Sequence, residues 1–73
     1  MEQALKVVVR ILETEGVIHP EHLPLPKEKA ERVLRALNEQ GMLAINPMTG
    51  GYVKTFGSKP GRMYRVVRQA LQE

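Results

Sequence analysis

The chain has 73 residues, 11 Lys/Arg against 8 Asp/Glu for a formal net charge of +3, 42% apolar residues and no cysteine. That length holds one small core and leaves little chain for a pocket, so one domain over residues 1–73 and no enzymatic activity are expected. The missing thiols exclude disulfides and cysteine-ligated zinc, and no apolar run approaches the roughly 20 residues needed to span a bilayer, so a cytoplasmic setting with no membrane partner is the expectation.

Residues 2–15 read as a helix, because Ala4, Val8, Ile11 and Leu12 recur at helical spacing with Leu5 beside them. The apolar arc is wide, which suits a helix packed on more than one side or a dimer seam. Gly16 follows, where a left-handed cap residue commonly sits. Residues 17–26 hold three prolines, Pro20, Pro24 and Pro26. They forbid a long helix or a central strand and allow one helical turn from Pro20 to about Leu23.

Residues 27–40 carry the strongest helical signal. Ala30, Val33, Leu34 and Leu37 form an i, i+3, i+4, i+7 stripe, and Pro26 and Gly41 bracket it. The opposite face holds Glu28, Glu31, Arg32, Arg35 and Glu39. Residues 42–46 then read as a short strand, 47–51 as a turn with Gly50 and Gly51 free to take positive φ, and 52–56 as a second strand. Residues 57–61 read as a flexible loop. Residues 62–73 fit both periods, since Met63, Val66, Val67, Ala70 and Leu71 have helical spacing and Tyr64-Arg65-Val66-Val67 reads as strand. The expectation is a strand over 62–67 with a short helical tail.

Charge is divided unevenly along the chain. Residues 1–39 hold six Lys/Arg and seven acids, whereas residues 40–72 hold Lys54, Lys59, Arg62, Arg65 and Arg68 and no acid. A one-signed field over part of a small domain attracts and orients a polyanion.

The order is helix, Pro-bounded turn, long helix, strand, glycine-rich loop, strand and tail. In that order and spacing the chain resembles the winged helix-turn-helix family. The segment from Lys27 through Gly41 to Leu43 is similar to that family's recognition helix, glycine turn and first wing strand. Gly61-Arg62-Met63-Tyr64-Arg65-Val66 is similar to the basic strand closing the wing, and the family's second helix is abbreviated to Pro20–Leu23. The resemblance implies an α+β fold: a small winged helix-turn-helix domain with two main helices, a short Pro-bounded helical turn and a β-hairpin wing over 42–67. It also implies a DNA-binding protein, a small transcriptional regulator. Lys27, Glu28, Glu31, Arg32 and Arg35 of helix 27–40 would reach base edges in the major groove of double-stranded DNA. Lys54, Lys59, Arg62 and Arg65 on the wing would meet phosphates. Single small readers usually dimerise, and the arc over residues 4–12 and the tail around Ala70 and Leu71 are the candidate homodimer seams.

Other readings compete with this one. Glu28–Arg32, Glu31–Arg35 and Arg35–Glu39 are i, i+4 pairs that can stabilise a solvated helix by a few tenths of a kcal/mol each. A face bearing both signs also suits a protein partner, so a winged-helix adaptor in a transcription, replication or translation complex is the alternative. RNA binding through the basic hairpin is a weaker third reading. Tyr52, Phe56 and Tyr64 lie among bases, where aromatics can stack on unpaired bases, but packing the hairpin onto the core is the favoured role. His19 and His22 are too few for a zinc site. Residues 51–59 miss the phosphate-loop spacing by one residue. No metal or cofactor is expected.

Overall fold

A computed structural model describes residues 2–55 and 59–72. The first helix, α1 (Glu2–Thr14), buries Leu5, Val8, Val9 and Leu12 and turns Lys6, Arg10 and Glu13 outward. Three consecutive valines are poor helix formers, so packing sets this helix. Its end is closed by side chains. The Thr14 hydroxyl donates to the Arg10 carbonyl at 3.0 Å, and the Lys54 ammonium donates to the Glu13 carbonyl. Positive φ falls at Gly41 and Gly50, so Gly16 is not the left-handed cap its position suggested.

The chain then crosses the core. Ile18 is fully buried and forms an antiparallel bridge with Tyr52, each N–H donating to the other's carbonyl at 2.8 Å. Pro20–His22 is a single 3₁₀ turn. His19 N–H donates to His22 Nδ1 at 3.3 Å, and the backbone N–H of His22 donates to the His19 carbonyl at 3.0 Å. The His22 ring and the backbones of both histidines therefore fasten this turn. Leu23 anchors its far side in the core.

The second helix, α2 (Lys27–Glu39), buries the predicted stripe of Ala30, Val33, Leu34 and Leu37. It ends in a Schellman motif: Met42 N–H donates to the Leu37 carbonyl at 2.9 Å and Gly41 N–H to the Asn38 carbonyl at 3.0 Å. Gly41, at φ 78°, supplies the left-handed residue. The Asn38 side-chain amide donates to the Leu43 carbonyl at 2.8 Å, which ties the helix end to the strand that follows.

Strands β1 (Leu43–Ile45) and β2 (Tyr52–Lys54) form an antiparallel hairpin in which Leu43 faces Lys54, Ala44 faces Val53 and Ile45 faces Tyr52. The connecting turn is densely bonded. Asn46 N–H donates to the Gly51 carbonyl, Gly50 N–H to the Asn46 carbonyl, and Met48 N–H to Asn46 Oδ1. Gly50 takes φ 74°. Gly51 has a different reason to be glycine: it is buried, and a Cβ there would stand 2.5 Å from Val17 Cγ1 and 3.1 Å from the His19 ring.

The C-terminal part corrects the sequence reading. Residues 62–67 are not a strand, because α3 runs unbroken over Pro60–Gln72. Met63, Val67 and Ala70, at i, i+4 and i+7, are buried, and α3 packs on both α1 and α2. This third helix meets the demand that the wide α1 arc created. The wing expected over 42–67 therefore reduces to a hairpin over 43–54, and Arg62 and Arg65 lie outside it. Of the strand and loop expected over 52–61, Pro60 and Gly61 belong to α3, and Phe56, Gly57 and Ser58 lie outside the described residues.

Three helices and a two-stranded hairpin make a small α+β domain around one apolar cluster, with no polar or charged side chain buried among the described residues. Tyr52 and Tyr64 are half-buried against that cluster. Of the candidate dimer seams, Leu5, Val8, Val9 and Leu12 of α1 and Ala70 of α3 are buried within the chain, Leu71 is half-buried against the cluster, and Val7 stays exposed. None of the described helices is long and apolar enough to cross a membrane.

Candidate nucleic-acid interface

The stripe that buries one side of α2 fixes what the other side presents. Glu28, Arg32, Arg35 and Glu39, at i, i+4, i+7 and i+11, are exposed along the outer ridge. Lys27 and Glu31 lie to one side, where they border a shallow groove with Pro20, Glu21, Leu23 and Leu25. No ion pair joins Glu31 to Arg35 or Arg35 to Glu39 among the described residues. Residues 27–39 carry four bases and three acids, so this face is a nearly neutral mosaic of donors and acceptors.

The bases predicted for the wing separate into two places. Lys54 stands on β2 at the end of α1, where its ammonium meets the Glu13 carbonyl and the negative end of the helix dipole. Lys59 is exposed immediately before α3, and Arg62 and Arg65 are exposed on α3 itself. These two arginines border a groove with Gln40, Met42, Val66 and Gln69, beside the C-terminal end of α2. The structure thus joins Arg62 and Arg65 to the end of α2 and sets Lys54 against the end of α1.

The hairpin carries one base, Lys54 at the end of β2. From Gln40 to Val53 there is no charged residue. Its outer surface is apolar: Ile45 is 53% exposed and Met48, near the tip, 93%. With Val7 on α1, these are the large apolar side chains left exposed among the described residues.

Sequence reasoning counted Arg68 in the acid-free stretch without giving it a contact, and passed over Gln69 and Gln72; all three are exposed on α3. Their signal was present in the three-residue spacing of Arg62, Arg65 and Arg68, which is meaningful only on a helix. The histidine pair serves the 3₁₀ turn, with rings 5.4 Å apart, and no cluster of three or more metal-ligating side chains occurs among the described residues. No family model, curated protein or solved structure matches the chain.

Proposed function

We propose that this protein binds duplex DNA as a small winged helix-turn-helix regulator, with α2 in the major groove. The observation that supports this most is the outward ridge of α2. It is a straight, open helical face that carries Arg32 and Arg35 and is bounded by the 3₁₀ turn at one end and the hairpin at the other. A major groove admits one such helix, arginine pairs bidentately with guanine, and glutamate accepts from cytosine. The antiparallel bridge from Ile18 to Tyr52 adds support, because it ties the segment before the helical turn to the hairpin after α2.

The test is fluorescence anisotropy of a labelled mixed-sequence duplex at 20–50 mM and at about 150 mM salt, followed by selection of a preferred site. Arg32→Ala/Arg35→Ala should erase the preference and retain most non-specific binding. Preference surviving in that variant removes α2 as the reading element.

One observation favours a second reading, the protein-interaction adaptor. The segment from Gln40 to Val53, all of the hairpin but Lys54, is uncharged and carries an exposed Met48 in its turn. Protein interfaces centre on such apolar anchors. Absence of duplex binding at low salt, together with a partner whose capture depends on Met48, would establish this reading in place of the first.

A further inference from the structure

The outward face of α3 differs from every other charged surface of the molecule. Arg62, Arg65 and Arg68 lie three residues apart, Gln69 and Gln72 stand among them, and Pro60–Gln72 contains no acid. The groove beside Arg62 and Arg65 is lined by Gln40, Met42, Val66 and Gln69 and holds no carboxylate. Glu39 enters the adjoining stretch, beside Ala36, Gln69 and Ala70. The outer ridge of α2, by contrast, alternates Glu and Arg.

This arrangement opposes local stability. Lys59 precedes the helix and Arg62 lies in its first turn, where the helix dipole is positive and acidic residues are favoured. A charge that violates a local rule in the folded state marks a surface used for something else. Relief comes from an anion.

We propose that the exposed face of α3 (Arg62, Arg65 and Arg68 with Gln69 and Gln72) grips the sugar-phosphate backbone of a nucleic-acid duplex. This rests on the DNA-binding reading and moves its phosphate contacts from the hairpin to α3. Six residues at about 1.5 Å each set Arg62 and Arg68 roughly 9 Å apart along the axis. One strand of a duplex rises about 3.4 Å per phosphate along the duplex axis, so the face, laid along that axis, covers the rise of two to three phosphates. Glutamine adds neutral donors for phosphate and sugar oxygens. A protein partner fits less well, because none of the exposed large apolar side chains lies on α3 and protein interfaces need an apolar centre.

The experiment compares wild type, Arg62→Gln/Arg65→Gln/Arg68→Gln and Arg62→Glu for duplex binding between 50 and 200 mM salt, with melting temperatures measured in parallel. The triple variant should lose about 2.7 from the slope of log affinity against log salt, the contribution of three phosphate contacts. That corresponds to about 40-fold less weakening over this range. Arg62→Glu should melt a few degrees higher than wild type while binding about tenfold more weakly, which separates loss of contact from loss of fold. A wild type that binds duplex with a slope matched by the triple variant overturns this inference and leaves the DNA reading standing. A wild type that binds no duplex at 50 mM salt overturns both. Equal affinity for a poly-glutamate peptide at the same salt overturns the nucleic acid as occupant in favour of an acidic polypeptide.

Discussion

Val66 and Val67 are adjacent and chemically identical, and α3 treats them oppositely. Val67 is fully buried, whereas Val66 is half-buried at the edge of the groove with α2. Truncating Val67 to alanine removes two buried methyl groups, about 1.6 kcal/mol of transfer free energy at ~0.8 kcal/mol each. The cavity left behind adds to this, for a gross cost of about 2–3 kcal/mol. Alanine is the better helix former by roughly 0.5 kcal/mol, so the net cost is about 2 kcal/mol. The same propensity gain applies at Val66, where less apolar surface is lost, and the net effect there should lie within about 0.5 kcal/mol of zero. For a domain of this size 1 kcal/mol moves Tm by roughly 4–8 °C. Val67→Ala should therefore lower Tm by about 8–16 °C, and Val66→Ala by no more than about 4 °C. Thermal and urea unfolding followed by far-ultraviolet circular dichroism measure both. Equal losses, or a larger loss at Val66, would refute helical packing of this segment.

Glycine substitutions test three different backbone environments. Gly41→Ala should cost about 1–2 kcal/mol, since φ is 78° and nothing but that conformation obstructs a Cβ. Gly16→Ala should be neutral or stabilising by about 0.4–1 kcal/mol, because its φ is not positive and its Cβ would enter open space; urea midpoints of the pair give the contrast directly. Gly51→Ala should cost about 1–3 kcal/mol by overpacking against Val17 and His19, and a wild-type Tm in that variant would show that the hairpin does not close tightly over the segment before the 3₁₀ turn. Lys54→Met should cost about 0.3–1 kcal/mol through the exposed C-terminal end of α1, and the loss should shrink in 1 M salt, where screening weakens the dipole contact.

Much of the fold was legible because single segments carried their own instructions. The α2 stripe, its bracketing Pro26 and Gly41, the three prolines after Ile18 and the glycines of the hairpin turn each specify a local structure. The third helix was not legible in that way. Tyr64-Arg65-Val66-Val67 has the residue types of a strand, and its helical state is decided by α1 and α2, whose apolar surfaces need cover. The wide arc on α1 was the sequence trace of that missing partner, and it pointed equally well to a second chain. The candidate interface followed the same division. The acid-free stretch after Glu39 announced a one-signed surface, but its geometry depended on whether residues 62–68 alternate or wind. A strand would have sent Arg62 and Arg65 to opposite faces, whereas the helix sets them on one side with Arg68. The position of Lys54 depended on the hairpin meeting the end of α1, a contact across 41 residues that no local pattern encodes.

Because α3 is made well after α1 and packs on it, the order of synthesis runs against the order of burial. Leu5, Val8, Val9 and Leu12 leave the ribosome before Met63, Val67 and Ala70, with which they share a core. Translation at about 5–20 residues per second separates Leu12 from Met63 by roughly 3–10 s. During that interval α1 holds its apolar arc without α3, the helix it packs on. The nascent chain therefore passes through a defined window in which a chaperone or a neighbouring chain can compete for α1, and the window closes when α3 docks.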